Sequence, residues 1–140
     1  YFYRPGQLDF EAMNKAAKYF LGEQDFTSLE KLHSGAQNAI CNVTAAGWER
    51  QAGNTAAGTG GTTFIIPCTT DIYVFTVTSN RFLRNMVRAM VGSLLEVGSG
   101  KRKPEWIAEM LARKDRCAAG YSVPGNALFL TEIRYPYPIE

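Results

Sequence analysis

Residues 78–101, TSNRFLRNMVRAMVGSLLEVGSGK, form the stretch on which the rest of the chain depends. Its apolar side chains recur every three or four residues, which is typical of the buried stripe of an amphipathic helix. Ser79 or Asn80 is a candidate N-cap, and Gly98 and Gly100 supply a C-terminal stop. The pattern therefore predicts one long helix that begins after Asn80 and ends near Gly98.

Three arginines are predicted to lie along one side of this helix. At about 100° per residue, Arg81, Arg84 and Arg88 fall within an arc of roughly 60° next to the apolar stripe. Arg88 lies at the edge of the stripe, where a partly buried guanidinium group needs a carboxylate or a phosphate as its partner. From periodicity alone, a structural ion pair with an acid of this same chain remains the alternative for Arg88.

The composition indicates a soluble globular domain of 140 residues, which is long enough for one hydrophobic core. No apolar run approaches the roughly 18 residues that span a bilayer, so no membrane association is expected. The first residues, YFYRPGQLDF, lack both a Met and the pattern of a secretory signal. We interpret the sequence as a single domain, residues 1–140, of a longer protein.

The cysteines and the histidine argue against a disulfide scaffold and against a zinc site. Cys41, Cys68 and Cys117 are odd in number, widely spaced and without a CxxC pair, and His33 is the single histidine. A reducing, cytoplasmic environment is the corresponding expectation. The residues by themselves show no complete active site.

Positive charge is concentrated in residues 81–116, which contain nine Lys/Arg and four Asp/Glu, although the whole chain has a net charge of only +2. A local basic field suits a polyanion that docks on one face. Lys101, Arg102 and Lys103 are the candidates for phosphate contacts on the basis of charge alone. A solvated, charged helix surface without a partner explains the same asymmetry equally well.

The remaining segments predict an α+β fold, an antiparallel or mixed sheet with helices packed on one face. Residues 8–21 are the predicted first helix, capped by Asp9, and residues 104–113 form another. Residues 23–28 are assigned to a loop that Phe26 attaches to the core.

The predicted strands are rich in β-branched and aromatic residues and lie between segments rich in Gly and Pro. The four predicted strands are residues 37–48, 64–66, 71–78 and 127–135, and Pro67 suggests that 64–66 is an edge strand. The predicted loops are residues 51–63 and 115–126.

The motifs in this order resemble the tRNA pseudouridine synthase A family. SNRFLRNMVRAMVGSLLEVGSGK is similar to the family block N-x-F-L-x-x-M-V-R-x-x-V-G-x-L-L-x-V-G-x-G-K. LDFEAMNKAAKYFLGEQDFTS, DRCAAGYSVPGNALFL and EIRYP resemble three further blocks, so the resemblance covers nearly the whole chain. It implies an enzyme that isomerises uridine to pseudouridine in the anticodon arm of tRNA, as a homodimer and without a metal or organic cofactor.

The resemblance also implies that the active site is divided between two halves of a longer polypeptide. The catalytic aspartate of the family lies in R-x-x-x-R-T-D-x-G-V-H-A, a motif that these 140 residues do not contain. Arg88 matches the arginine that pairs with this aspartate and keeps it ionised. Leu128 matches a leucine in the wall of the base pocket. The start of the family's helix block, which faces the cleft, is matched here by Asn80, Arg81 and Arg84.

The chain is accordingly expected to be the C-terminal catalytic-cleft domain, inactive alone. Two positions depart from the family patterns, because Ala127 replaces a glycine and Leu29 a phenylalanine. A standalone RNA-binding module and a dimerisation module with a solvated basic face are the alternatives. RNA binding with a steep salt dependence would favour the former over the latter.

Overall fold

A computed structural model of the chain describes residues 8–51, 62–68 and 71–136. Within these residues, the strands pair as one antiparallel sheet in the order β1–β2–β4–β3–β5. The α+β prediction is therefore confirmed. The helices are α1 (Phe10–Ala17), α2 (Met86–Gly98) and α3 (Trp106–Arg113), and the strands are β1 (Gly22–Asp25), β2 (Ile40–Gln51), β3 (Thr62–Cys68), β4 (Asp71–Ser79) and β5 (Leu128–Leu130).

The three helices and one face of the sheet share a single hydrophobic core. Met13 of α1, Met90 of α2 and Ile107 of α3 are completely buried in it, together with Phe75 of β4. As predicted, Asp9 caps α1, and its carboxylate accepts a hydrogen bond from the backbone N of Ala12 at 3.0 Å. In the described part of the chain, no helix has the length and apolar character that crossing a membrane requires.

Two short segments differ from the sequence-based prediction because backbone pairing, and not side-chain pattern, determines them. Residues 23–25 belong to the predicted loop, but with Gly22 they form the edge strand β1, which pairs with β2. Its sequence, GEQD, contains no apolar side chain, so no apolar alternation signals the strand. Phe26 is fully buried, as expected. The first helix, α1, ends at Ala17, earlier than predicted, and a 3₁₀ turn follows at Lys18–Phe20.

The third strand, β3, lies between β4 and β5 and is not the edge strand that Pro67 suggested. However, β5 pairs only with Thr62, Thr63 and Phe64, so Pro67 lies beyond that pairing. A residue without a backbone N–H is tolerated there. The strand predicted at 127–135 is limited to Leu128–Leu130, and the predicted loop at 51–63 falls largely outside the described residues.

The largest correction concerns the beginning of α2. This helix starts at Met86, and Asn85 precedes it in the left-handed conformation with φ of 73°. Residues 81–83 have no regular secondary structure, and a turn follows at 84–85. The prediction of a helix from residue 81 onwards is therefore wrong. Arg81 and Arg84 precede the helix, and the predicted row of three arginines along α2 does not form.

The reason for this late start is an extension of the pairing between β2 and β4. The backbone N of Asn80 donates to the carbonyl of Asn42 at 3.1 Å, and the Asn80 Oδ1 accepts from the Asn42 N at 2.8 Å. Ser79 Oγ also donates to the Asn42 carbonyl, at 3.0 Å. The two candidate N-caps are thus used to continue the sheet, so the chain stays extended where apolar periodicity predicted a helix.

Candidate functional site

A cavity of about 420 Å³ opens at the N-terminal end of α2, beside β5. This volume lies within the range of about 300–1,000 Å³ that is usual for small-molecule sites. Cationic and apolar side chains share its wall, and no Asp or Glu of the described residues lines it. The lining residues are Lys31, Phe82, Leu83, Arg84, Asn85, Met86, Val87, Arg88, Leu128 and Leu130.

Arg88 is half-buried in the first turn of α2, and a neighbouring loop holds it from one side. Its Nε donates to the carbonyl of Val123 at 2.7 Å, and the Val123 N donates to the carbonyl of Arg88 at 3.2 Å. The two Nη nitrogens have no hydrogen-bond or ion-pair partner among residues 8–51, 62–68 and 71–136. Within that part of the chain, the alternative of an architectural ion pair for Arg88 is not realised.

The loop that holds Arg88 lies directly against the backbone of α2. The Gly120 N donates to the buried Oγ of Ser93 at 3.0 Å, and this Oγ donates to the carbonyl of Ala89 at 2.8 Å. A Cβ at Gly92 would lie 2.9 Å from the carbonyl carbon of Tyr121, and one at Gly120 would lie 2.8 Å from the Ser93 N. Only glycine permits such an approach, so these two glycines set the distance between loop and helix.

The opening of the cavity carries two exposed cations, Arg84 and Lys31. They are neighbours because the backbone N of Lys31 donates to the carbonyl of Arg84 at 2.9 Å. The sequence analysis did not identify Lys31, which lies in a loop without a motif, and its charge is the only signal in the sequence. Pairing with a segment 53 residues away in the chain brings it to the site.

The apolar side of the cavity contains Leu128, which is half-buried at the start of β5. Its position is set by pairing with Phe64 of β3. The preceding Ala127 is buried in a 3₁₀ turn, Gly125–Ala127, and does not have a positive φ. Alanine is therefore accommodated at this position without backbone strain, although the family pattern has glycine there.

The remaining sequence-predicted site residues lie elsewhere. Neither Asn80 nor Arg81 lines the cavity. The Arg81 Nη1 donates to the carbonyl of Asn38 at 3.2 Å and to its Oδ1 at 3.0 Å, so this arginine holds the loop before β2.

The basic cluster at Lys101, Arg102 and Lys103 follows the opposite end of α2, a 13-residue helix that is about 20 Å long. Arg102 is already engaged, because its Nε lies 3.5 Å from the Oε2 of Glu96. Its guanidinium also lies 4.9 Å from the ring centroid of Trp106. The cavity and the basic cluster are therefore two separate surfaces.

The cysteines and the histidine do not form a reactive group in the described residues. Cys41 is buried, and this burial raises the pKa of its thiol. Cys117 is exposed, and His33 is exposed in the loop after β1. The same residues contain no cluster of three or more His, Cys, Asp and Glu side chains that could hold a metal ion.

Comparison with known proteins gives one consistent result. Residues 16–136 match the family described as tRNA pseudouridine synthase. The chain is 45% identical over 139 residues to a tRNA pseudouridine synthase A from Parabacteroides distasonis, an alignment that covers 97% of this chain and 48% of that protein.

Two Bacteroides proteins of the same name are similar to almost the same extent. Identity is 44% over 134 residues to the protein of Bacteroides thetaiotaomicron, with 96% of this chain and 44% of that protein covered. Identity is 42% over 132 residues to the protein of Bacteroides fragilis, an alignment that covers 94% of this chain and 46% of that protein. The chain thus spans about half the length of the curated relatives it matches.

Proposed function

The chain belongs to the tRNA pseudouridine synthase family, and we propose that it forms one half of a cleft in which uridine of the tRNA anticodon arm is isomerised to pseudouridine. The observation that supports this most directly is the cavity lined by both Arg88, whose two Nη nitrogens have no partner in the described part of the chain, and the apolar side chain of Leu128. The reaction breaks the C1′–N1 bond and forms a C1′–C5 bond. The C5 hydrogen leaves as a proton, and N1 gains one.

Arg88 is the proposed partner of the catalytic carboxylate, which another part of the full-length protein supplies. Its Nε is occupied by the Val123 carbonyl, so the guanidinium presents Nη nitrogens of fixed orientation to that carboxylate. An opposite charge within about 4–6 Å favours the ionised carboxylate, the form in which it reacts. A half-buried guanidinium whose charge has no acidic partner is costly, and Arg88 has none among the described residues, which supports a carboxylate at this position in the complete protein.

The apolar wall is the proposed site of the target base. A nucleotide must leave the base stack before its glycosidic bond is accessible, and an apolar pocket then replaces the lost stacking partners. Leu128 and Phe82 are both half-buried in the wall of the cavity and are suited to this contact.

The cations around the cavity are the proposed contacts to the tRNA backbone. Arg84 and Lys31 at the opening are placed to neutralise phosphates next to the extruded nucleotide. Lys101 and Lys103, both exposed, are proposed as phosphate contacts farther along the tRNA, whereas Arg102 is partly neutralised by Glu96.

Asn80 and Arg81 are assigned a supporting role in this proposal. Asn80 extends the pairing between β2 and β4, and Arg81 holds the loop at Asn38. Both bonds position the backbone that leads to Arg84.

Cellular context and assembly follow from the resemblance to the family. We place the full-length enzyme in the cytoplasm, as a homodimer that acts without a metal or organic cofactor. The 140 residues alone are predicted to be inactive, because they lack the aspartate motif of the family.

Tritium release from tRNA that contains [5-³H]uridine tests this function, because pseudouridine formation expels the C5 hydrogen. The full-length protein should release tritium, and its Arg88→Ala variant should be slower by about a hundredfold or more, as for other lost electrostatic partners. Arg113→Ala, which removes an exposed arginine of α3, is the matched control and should retain the rate.

Two other results would change the conclusion. If the full-length protein binds tRNA but releases no tritium from any tRNA, an RNA-binding module without chemistry replaces the isomerase. If Arg88→Ala retains full activity, Arg88 is architectural.

A further inference from the structure

A hydrogen-bonded network lies behind Arg88 and joins the start of α2 to the loop that holds it. The Arg116 guanidinium donates from Nη1 to the Gly120 carbonyl at 2.9 Å and from Nη2 to the Ser122 Oγ at 2.8 Å. The same Oγ accepts from the Nδ2 of Asn85 at 2.6 Å. Ser122 thus connects one charged and one neutral donor from two different elements.

This network lies next to Arg88 on both sides. Asn85 immediately precedes α2 and lies three residues before Arg88, and Ser122 is adjacent to Val123, whose carbonyl accepts from the Arg88 Nε. Gly125 of the same loop lies close to the Arg88 side chain, since a Cβ at this glycine would be 3.6 Å from the Arg88 Cδ. The position of residues 122–125 therefore determines where the guanidinium group lies.

We propose that Arg116, Ser122 and Asn85 are positioning residues for Arg88, holding the Val123 carbonyl so that the Nη nitrogens of Arg88 face the catalytic carboxylate. This inference rests on the proposed function of Arg88. The three residues act on the carboxylate through Arg88 and do not touch the substrate in this scheme.

The contacts favour this role over a purely architectural one. The loop is already held against α2 by the Gly120–Ser93 hydrogen bond and by the close approach at Gly92. The Arg116–Ser122–Asn85 bonds are part-buried and join side chains that are not part of the hydrophobic core. They fix the loop next to Val123, which contacts Arg88, and a small displacement of the Arg88 guanidinium would there affect catalysis most.

Ser122→Ala in the full-length protein tests the inference, with single-turnover tritium release measured as a function of pH. The variant should retain its tRNA affinity but react about tenfold more slowly, less than the hundredfold that a displacement of 1 Å can cost. A displaced guanidinium stabilises the ionised carboxylate less, so the pKa of the carboxylate rises. The acid limb of the pH–rate profile, where the rate falls as the carboxylate is protonated, therefore moves to higher pH. The other charged groups lining the cavity, Lys31 and Arg84, are unchanged in this variant.

Two variants serve as controls for Ser122→Ala. Ser122→Thr retains the oxygen and should restore most of the rate. Cys117→Ser changes an exposed side chain of the same loop and should leave the rate and the acid limb unchanged. Arg116→Lys, which retains the charge but not the two-pronged bond, gives a second test if Ser122→Ala does not fold.

The inference is overturned if Ser122→Ala and Arg116→Lys retain the wild-type rate and acid limb while Arg88→Ala loses activity. It is also overturned if Cys117→Ser loses as much as Ser122→Ala, because the loop would then be sensitive to any change. Full activity of Arg88→Ala, or an inactive full-length protein, would instead contradict the proposed function, and the inference would fall with it.

Discussion

The two ends of α2 both carry positive charge, but they use it differently. At the C-terminal end, Arg102 forms an ion pair with Glu96 and lies over Trp106, so its charge is partly neutralised within the chain. At the N-terminal end, Arg84 and Arg88 share a cavity that no Asp or Glu of the described residues lines. The difference shows that the number of basic residues is a poor guide to a site, whereas a half-buried cation without an acid is a good one.

The packing of α2 also differs between its middle and its C-terminal end. Gly92, in the middle of the helix, faces the backbone of Tyr121 in the loop that holds Arg88, and Gly98, at the C-terminal end, faces the side chain of Met13. A backbone neighbour is held by its own hydrogen bonds, whereas a methionine side chain can adopt another rotamer. The contact of Gly92 with this loop is therefore expected to be rigid, and the C-terminal end of α2 is expected to be tolerant.

The largest expected effect comes from adding one methyl group to α2, either at Gly92 or at Gly98. Gly92→Ala would make its Cβ overlap the carbonyl oxygen of Tyr121, so we expect the free energy of unfolding to fall by about 3 kcal/mol or more. Gly98→Ala would make its Cβ overlap the Sδ of Met13, which a flexible side chain can move, and we expect a loss of about 1–2 kcal/mol, reduced by the better helix propensity of alanine. Chemical denaturation of the full-length protein measures both changes.

Gly47→Ala is the control for these substitutions, because its Cβ would make an ordinary contact, 3.6 Å from the Asn14 Oδ1. Its effect should be smaller than that of either helix variant. Equal losses for Gly92→Ala and Gly98→Ala would show that the loop contact at Gly92 and the C-terminal end of α2 do not differ in rigidity.

An effect of intermediate size is expected for the salt dependence of tRNA binding. Arg84→Gln in the full-length protein should reduce the slope of log K against log salt by about 0.7–0.9, the value for one lost phosphate contact. Arg102→Gln should leave the slope nearly unchanged, because its charge is partly neutralised by Glu96. If the Arg102 variant shows the larger change, the basic cluster and not the cavity opening dominates RNA binding.

The smallest effect is expected at Asp25, a site remote in sequence from both ends of α2. The hydroxyl of Thr27 donates to the Asp25 carboxylate and holds its pKa below the ordinary value of 3.8. Partial burial opposes this shift, while the Thr27 N and Lys114, whose Nζ lies 3.7 Å from the Asp25 Oδ2, lower the pKa further. A depressed pKa means that the ionised form stabilises the fold.

This stabilisation should be fully present above the ordinary pKa and disappear as the pH falls through the lower, folded-state value. Asp25→Asn should therefore be less stable than the wild type by about 1 kcal/mol or less at neutral pH. The difference should diminish in acid. Denaturation curves between neutral pH and pH 3 measure it, with exposed Glu23→Gln as the control. A difference that persists unchanged in acid would exclude the carboxylate charge as its source.

The sequence predicted the elements whose local chemistry is decisive. Asp9 caps α1 because its carboxylate reaches a nearby backbone N–H, and the β-branched and aromatic residues of β4 suit a half-buried strand. The sequence failed where distant backbone atoms decide. The Asn80–Asn42 pairing shortens α2 at its start, and no residue near position 80 signals a partner 38 positions away.

The residues of the candidate site show the same difference between local sequence patterns and contacts from distant segments. Arg88 and Leu128 were identified from motifs, and the structure brings them into one cavity. Lys31 and the Val123 carbonyl were not predicted, because a loop lysine and a main-chain oxygen carry no pattern. Their contribution depends on contacts between segments far apart in sequence, such as the Arg88–Val123 bond across 35 residues.

The bond from the Arg88 Nε to the Val123 carbonyl also has an evolutionary consequence. Arginine can hold this carbonyl and still offer other nitrogens to a second neighbour. Lysine keeps the positive charge but has a single nitrogen on a flexible stem, so it cannot bind the carbonyl with one nitrogen and present others in a fixed plane to a second neighbour. Because the carbonyl belongs to the main chain, no substitution at position 123 removes it. A peptide oxygen thereby restricts the amino acids that natural selection can accept at position 88.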